Sequence, residues 1–281
     1  MTLFLASVRD EAEAAIALRA RADIIDLKEP RRGALGALDG ETTRSIVSLI
    51  GGRVPVSATI GDLPMQPEII GAAVLEKAAC GVDYVKFGLF PDGDARRCLD
   101  ALHPLARQVN LIVALFADRL PDFDAVAAAA AMGAAGIMLD TADKGSGSLL
   151  AHLDPRQLAS FVTQAKSHGL MVGLAGSLAA ADVAELLPLA PDLLGFRGAL
   201  CNGSRGASLD PTACAAIRAL IRRTGRQRKA NSRQGCPKRP LKRYAKRSGC
   251  NPDGVPDADD GRASDASRPC VLQRQRHRCS L

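Results

Sequence analysis

The chain has 281 residues, and 47% of them are hydrophobic, enough to bury a sizeable core in one large domain or two smaller ones. The formal net charge of +7 is unevenly distributed. Residues from Arg226 onward hold 15 of the 37 Lys and Arg residues but only five of the 30 Asp and Glu residues. No apolar run approaches the roughly 18 residues that span a bilayer, and residues 1–8 lack the basic region of a signal peptide. We therefore expect a cytoplasmic protein with a mildly acidic body and no membrane partner.

Short apolar runs alternate with helical patterns throughout residues 3–222. Runs typical of buried strands occur at residues 3–8, 23–28, 54–60, 84–89, 111–116, 136–140, 171–175 and 193–196. Helical patterns follow them at residues 11–21, 42–49, 67–79, 95–107, 122–132, 155–168, 180–189 and 211–222. Eight such repeats predict an α/β protein, a parallel (β/α)8 TIM barrel. A doubly wound open sheet is the alternative, but the first βα turn contains no glycine-rich dinucleotide loop.

Capping signals support several of these helices. Asp122, Asp154 and Asp210 stand before helical patterns, where a carboxylate accepts hydrogen bonds from the first backbone N–H groups. Gly133 and Gly169 follow two of the patterns, as is usual at a helix C-terminus. The local signals therefore agree with the eightfold repeat.

The pattern stops near residue 223. We predict that residues 1–223 form the catalytic barrel and that residues 224–281, rich in Arg, Lys, Ser, Gly and Pro, form a basic, disordered tail. Basic runs at 226–229 and 238–243 would suit nucleic acid or an anionic surface. No aromatic stacking platform accompanies them, so we favour an appendage without a selected role and do not expect a nucleic-acid partner.

The cysteines and histidines do not form metal-binding patterns. Four of the eight cysteines are scattered over the body, and four lie in the tail without the close pairs of a zinc site. We therefore expect reduced thiols, and a reaction that needs neither a metal nor another cofactor.

Three lysines stand at or near the carboxyl ends of predicted strands, where the active groups of such barrels lie. Lys28 follows the second strand, Lys86 lies in the fourth between apolar residues that face outward, and Lys144 follows the sixth. Asp26 and Asp140 belong to the same segments. A single strand-end lysine is usually a solvated side chain, and Lys144, in a Gly/Ser-rich loop, fits that interpretation equally well. The convergence of three favours a site.

Clustered lysines favour nucleophilic chemistry. Like charges disfavour one another's protonation, so at least one amine is shifted towards its neutral form, which attacks carbonyl carbons. A neighbouring carboxylate can then carry protons as an iminium forms.

The loops after the last two strands predict a phosphate site. Gly176, Ser177, Arg197 and Gly198 combine glycines, which allow backbone amides close to a ligand, with a cation. Tight-turn geometry explains any single glycine, but it explains the pairs less well.

Five blocks of sequence together resemble the (5-formylfuran-3-yl)methyl phosphate synthase family. They are residues 23–36 (DIIDLKEPRRGALG), 56–62 (VSATIGD), 83–89 (DYVKFGL), 173–178 (GLAGSL) and 195–201 (GFRGALC). The resemblance covers about residues 2–222, and the tail has no counterpart in it.

The resemblance implies an enzyme of methanofuran biosynthesis, a carbon–oxygen lyase. It would condense two molecules of glyceraldehyde 3-phosphate to a furan aldehyde bearing a phosphomethyl group, with loss of phosphate and water. By the match, Lys28 would form the Schiff base and Lys86 would accept a proton, while Asp26, Asp140 and Lys144 match further active-site positions. The resemblance leaves the oligomeric state open, with a symmetric homo-oligomer as one option.

Two other functions fit the residues. A lysine-type aldolase or isomerase of sugar phosphates would use the same lysines and phosphate loops, and product analysis separates it from a furan-forming enzyme. A nucleic-acid-binding protein would depend on residues 224–281, whereas triose phosphate turnover would survive their deletion.

Overall fold

The computed structural model describes residues 1–119 and 121–231, with side chains as far as residue 222. Eight parallel strands form a closed barrel in which each strand pairs with the next and the last pairs with the first. The strands are β1 Leu3–Val8, β2 Ile24–Leu27, β3 Val56–Thr59, β4 Tyr84–Gly88, β5 Leu111–Phe116, β6 Gly136–Asp140, β7 Met171–Leu174 and β8 Leu193–Phe196. The predicted (β/α)8 barrel is confirmed, and the open sheet is excluded.

Helices connect the strands on the outside of the barrel. They are α1 Glu11–Arg19, α2 Gly40–Ile50, α3 Pro67–Ala78, α4 Ala95–Leu102, α5 Asp124–Met132, α6 Leu149–His152, α7 Pro155–Ser167, α8 Val183–Leu186 and α9 Pro211–Asn231. Asp154 and Gln157 form a capping box at the start of α7. Asp210 accepts a hydrogen bond from the backbone N–H of Thr212, and Gly133 ends α5 in a left-handed conformation. These predicted caps are confirmed.

Three helices differ from their predicted ranges by more than two residues at one end or both. Helix α4 stops at Leu102 because Pro104 cannot continue the hydrogen-bond ladder, and the predicted end at residue 107 is wrong. The pattern at 180–189 gives only the short α8 and a 3-10 turn, since Pro188 interrupts it. Helix α9 extends to Asn231, nine residues beyond the predicted end of this helix at residue 222. The rest of the predicted tail lies outside the described residues.

Alternate residues of the strands face two different cores. Val85 and Phe87 of β4 point outward and are fully buried in the large core between barrel and helices, as predicted. A smaller apolar cluster lies inside the barrel and includes Leu5, Ile24, Ile112, Met138 and Leu193. It closes the lumen below the polar side chains that follow at the carboxyl end.

The described cysteines are Cys80, Cys98, Cys201 and Cys214. All four are buried free thiols, which confirms the prediction for this part of the chain. No helix among the described residues is long and apolar enough to cross a membrane.

Candidate active site

One cavity of about 540 Å³ at the carboxyl end of the barrel gathers the predicted site. Its lining includes all nine candidate residues, which are Asp26, Lys28, Lys86, Asp140, Lys144, Gly176, Ser177, Arg197 and Gly198. They belong to β2, β4, β6 and the loops that follow β2, β6, β7 and β8. Closure of the barrel therefore brings the whole predicted set around one space.

Asp26 and Lys86 form a buried ion pair on the inner wall. Lys86 Nζ donates to Asp26 Oδ1 at 2.8 Å, and both side chains are at most 3% exposed. Ser7 Oγ donates to Asp26 Oδ2 at 3.0 Å, and Ser57 Oγ donates to Oδ1. Burial raises the pKa of Asp26, but the charges of Lys86 and Lys28 lower it by a larger amount, so the pKa lies below its ordinary value. Asp26 is therefore an ionised carboxylate that is fixed by hydrogen bonds from Lys86 and the two serines.

Lys28 lies just past the end of β2 and is 5% exposed. Its Nζ donates to the backbone oxygen of Ala34 at 3.2 Å and is 3.8 Å from Asp140 Oδ2. Burial lowers the pKa of Lys28 to about 8, with Lys144 and Lys86 acting in the same direction and Asp140 and Asp26 against it. A useful fraction of this amine is consequently neutral near physiological pH.

The acceptor of the Lys28 hydrogen bond is held by Asp62. The two carboxylate oxygens of Asp62 accept hydrogen bonds from the backbone N–H groups of Ala34 and Leu35, each at 2.7 Å. Gly33 allows this contact, since a Cβ there would lie 2.1 Å from Asp62 Oδ2. The loop after β2 is therefore fastened to the loop after β3, and this fastening orients the Ala34 oxygen towards Lys28.

Asp140 ends β6 and lies between two lysines. Lys144 Nζ donates to Asp140 Oδ1 and to the backbone oxygen of Thr141, while the Thr141 N–H donates to Asp140 Oδ1 at 2.8 Å. Burial raises the pKa of Asp140, but Lys144 and Lys28 outweigh burial and hold it well below the ordinary range. The Lys144 side chain is therefore paired, 11% exposed and part of the cavity lining, and it does not extend into solvent as a free loop lysine would.

These five groups leave a positive excess in the cavity. Three lysines face two carboxylates, because Asp140 pairs with both Lys28 and Lys144 whereas Asp26 pairs with Lys86. A cavity with net positive charge favours an anionic ligand. The arrangement offers a nucleophilic amine together with groups that can accept and return protons.

The loop after β7 packs tightly against the end of β6. Gly176 has φ +104, and a Cβ there would lie 2.9 Å from the backbone nitrogen of Thr141. Ser177 follows with φ 46, and its Oγ donates to the backbone oxygen of Lys144 at 3.2 Å. The backbone at both residues borders the cavity, as the predicted phosphate site requires.

The side chain of Arg197 is engaged inside the protein. Its guanidinium makes five hydrogen bonds. Two go to the carboxylate oxygens of Glu13, and three go to the backbone oxygens of Ser7, Arg205 and Ala207. The residue is 7% exposed. A phosphate would have to displace one of these partners. In this arrangement Arg197 supports the loop that follows β8, and its contact with phosphate stays a prediction.

Sequence reasoning missed four residues that shape the site. Ser7 and Ser57 lie beside Asp26 in the strand register, and an alternating pattern read along β1 and β3 would have placed both inside the barrel. Arg205 lines the cavity, and Glu13 holds Arg197 from α1. The local sequence does not indicate a role for Arg205 or Glu13, because each contacts residues that are distant in the chain.

The fold and the site define a (β/α)8 barrel enzyme with a lysine-rich active site. A family model described as 4-HFC-P synthase matches residues 4–218, and the chain belongs to this family. A relative from Methylorubrum extorquens is 45% identical over 207 residues, which are 73% of this chain and 86% of that protein.

Archaeal relatives carry the name (5-formylfuran-3-yl)methyl phosphate synthase. The protein from Methanosarcina mazei is 34% identical over 221 residues, covering 74% of this chain and 94% of its own length. The protein from Methanopyrus kandleri is 37% identical over 216 residues, covering 71% and 90%. Phosphoribosyl anthranilate isomerase from Thermus thermophilus has a TM-score of 0.58 at 19% identity, with 80% of this chain and 100% of that chain covered. This last likeness concerns the fold.

Proposed function

We propose that this protein condenses two molecules of glyceraldehyde 3-phosphate to (5-formylfuran-3-yl)methyl phosphate through a Schiff base on Lys28. The observation that carries the proposal is the environment of Lys28. The amine is buried, has a pKa of about 8, and lies 3.8 Å from the Asp140 carboxylate. Such an amine can add to an aldehyde while a charged neighbour stabilises the iminium that forms. Membership of the family supports the same reaction.

The carbon skeleton of the product dictates which bonds form. The formyl carbon and two ring carbons come from one triose, which loses its phosphate from C3. The other triose reacts as its ketone isomer, keeps its phosphate, and is attacked at C2 by C3 of the first. Ring closure and dehydration complete the furan. The atoms balance when two trioses give one product, one phosphate and two waters, since the water released on imine formation is consumed when Lys28 is freed.

The two ion pairs divide the proton transfers. The Asp26–Lys86 pair, joined by a 2.8 Å hydrogen bond, lies on the inner wall and is suited to take the C2 proton of the imine-bound triose. Asp140 lies beside the Lys28 amine and is held by Lys144 on its other oxygen, so this pair is placed to deliver and remove a proton as water is lost and regained. The backbone of Gly176, Ser177 and Gly198 would hold the phosphate of the ketone triose.

The test is reductive trapping. Protein and glyceraldehyde 3-phosphate are treated with borohydride, and the modified peptide is mapped by mass spectrometry. We expect a reduced triose adduct on Lys28 that is lost in Lys28→Met. Lys166→Met is the matched control, because this lysine is 39% exposed on α7 and does not line the cavity. Substrate consumption without any adduct on Lys28 would overturn the Schiff-base mechanism.

Product analysis decides the rest of the proposal. We expect one inorganic phosphate released per furan aldehyde formed, with unchanged rates after treatment with a chelator. A lysine-type aldolase or isomerase would also give the Lys28 adduct, but its product would differ. An aldolase would form a sugar that retains both phosphates, and an isomerase would form an isomer of the triose phosphate. Removal of residues 232–281 tests the tail, and loss of turnover in the shortened protein would contradict a barrel-only function.

A further inference from the structure

Arg205 presents a cation to the cavity from the loop between β8 and α9. Within the part of the chain that the structure describes, its guanidinium makes one hydrogen bond, from Nη2 to the backbone oxygen of Gly33 at 3.3 Å. The side chain lines the cavity. The pKa of Arg205 lies below its ordinary value, because burial and the charge of Arg197 outweigh the opposing charges of Asp140 and Asp62. A guanidinium stays protonated throughout the working range, so Arg205 offers several unused donors and a full charge.

The loop that carries Arg205 is held in place on its backbone. Arg197 donates to the backbone oxygens of Arg205 and Ala207, each at 2.8 Å. Arg9 donates to the backbone oxygen of Gly206. A cation on a backbone that is already ordered loses little conformational entropy when it binds a ligand. The buried Arg197 therefore positions an arginine that lines the cavity.

Arg205 and Lys28 contact neighbouring carbonyl groups. Arg205 Nη2 donates to Gly33 O, and Lys28 Nζ donates to Ala34 O at 3.2 Å. Because consecutive residues are about 3.8 Å apart, the guanidinium lies within about 10 Å of the amine. A triose joined to Lys28 extends roughly 6 Å from nitrogen to phosphorus. Its phosphate oxygens can therefore reach the guanidinium.

We propose that Arg205 is a second phosphate-binding group, which holds the phosphate of the triose attached to Lys28 and stabilises it as it leaves. This inference rests on the proposed function, which requires two phosphate subsites for two trioses. The loops after β7 and β8 supply one, and the saturated Arg197 does not supply the other.

The step balances in electrons and charge. After the C2 proton of the imine is removed, its electron pair resides in the enamine. The C3–O bond then breaks, the pair forms the C2=C3 bond, and the oxygen departs with phosphate. The charge that grows on this oxygen faces Arg205, where charge-assisted hydrogen bonds strengthen as the bond breaks.

The test compares glyceraldehyde 3-phosphate with unphosphorylated glyceraldehyde as ligands for Lys28. Borohydride trapping on Lys28 reports both, and the ratio of their apparent affinities measures recognition of the phosphate. We expect Arg205→Ala to reduce this ratio about tenfold to a hundredfold. We expect Arg205→Lys to restore part of this ratio. We also expect the release of phosphate to slow in Arg205→Ala in parallel with the fall in the ratio. Arg96→Ala is the control, because that side chain is 80% exposed on α4 and lies away from this cavity.

The outcomes separate this inference from the function on which it rests. An unchanged ratio in Arg205→Ala would overturn the phosphate role while leaving the Schiff base intact. An equal loss of trapping for both aldehydes would assign Arg205 to the positioning of the loop after β2, which also overturns it. If the wild-type protein forms no adduct with either aldehyde, the proposed function itself fails.

Discussion

Lys28 Nζ lies 3.8 Å from Asp140 Oδ2, while Lys144 is hydrogen-bonded to the other oxygen of the same carboxylate. Asp140 therefore acts on both lysines, and the two lysines disfavour each other's protonation. The pKa of Lys28 is set by this balance as well as by burial, which is the larger effect. Changes at Asp140 and Lys144 should consequently move that pKa in opposite directions.

The first prediction concerns the pH dependence of imine formation. In the wild-type protein the rate of borohydride trapping should rise with pH and level off above about pH 8, because the neutral amine reacts. Asp140→Asn removes an attraction that favours the charged form, so the inflection should move down by about one to three pH units. Lys144→Met removes a repulsion and should move it up. Lys166→Met should leave it in place, and shifts of the same sign in both site variants would contradict the electrostatic account.

The second prediction concerns the buried pair of Asp26 and Lys86. Lys86→Met leaves the Asp26 charge buried without its partner, so the free energy of unfolding should fall by about 3–5 kcal/mol. Adding Asp26→Asn to Lys86→Met removes that charge, and most of the loss should be recovered. Denaturant unfolding measures both variants. If the double variant is as unstable as the single one, the unpaired charge is not the cause.

The same pair should also matter in acid. The pKa of Asp26 lies below the ordinary value of 3.8, so the stabilisation is fully present above that pH and is lost as the pH falls through the folded-state pKa. The unfolding free energy of the wild-type protein should decline below about pH 4. The double variant should decline less over the same interval, and parallel curves would argue against the contribution of Asp26.

The third prediction separates the structural role of Arg197 from phosphate binding. Arg197→Lys cannot reproduce the paired contact with Glu13 and leaves several backbone oxygens without their donor. We expect a loss of about 2–4 kcal/mol in unfolding free energy. Arg156→Lys, on the exposed first turn of α7, should change little. Unchanged stability together with a raised KM would instead support direct contact with the substrate.

The fourth prediction uses two glycines with similar backbone angles. Gly176 and Gly169 both have positive φ, but a Cβ at Gly176 meets Thr141 whereas one at Gly169 meets nothing within 4 Å. Gly169→Ala should cost about 1–2 kcal/mol for the left-handed backbone alone. Gly176→Ala should cost more and should also lower activity, because the loop after β7 must move away from β6. Equal losses of stability would mean that the contact with Thr141 is relieved without cost.

Much of the barrel was predictable, because the spacing of apolar residues and the capping residues within each segment indicate its strands and helices. The runs at residues 3–8, 111–116, 136–140 and 193–196 match the observed strands at both ends. The errors fall where a proline interrupts a helical pattern, as in α4 and α8, and where a helix continues into polar sequence, as in α9. Periodicity describes which face is buried, but it does not describe how a helix ends.

The sequence by itself determined the repeat of strand and helix and the positions of Lys28, Lys86 and Lys144, because alternation along a strand and the carboxyl end of a barrel strand are local properties. The tertiary structure alone decided which charges meet. Arg197 pairs with Glu13, 184 residues away, and Arg205 reaches the loop beside Lys28. These contacts exist because closing the barrel brings β8 next to β1, and the strength of a charge–charge interaction depends on distance in space.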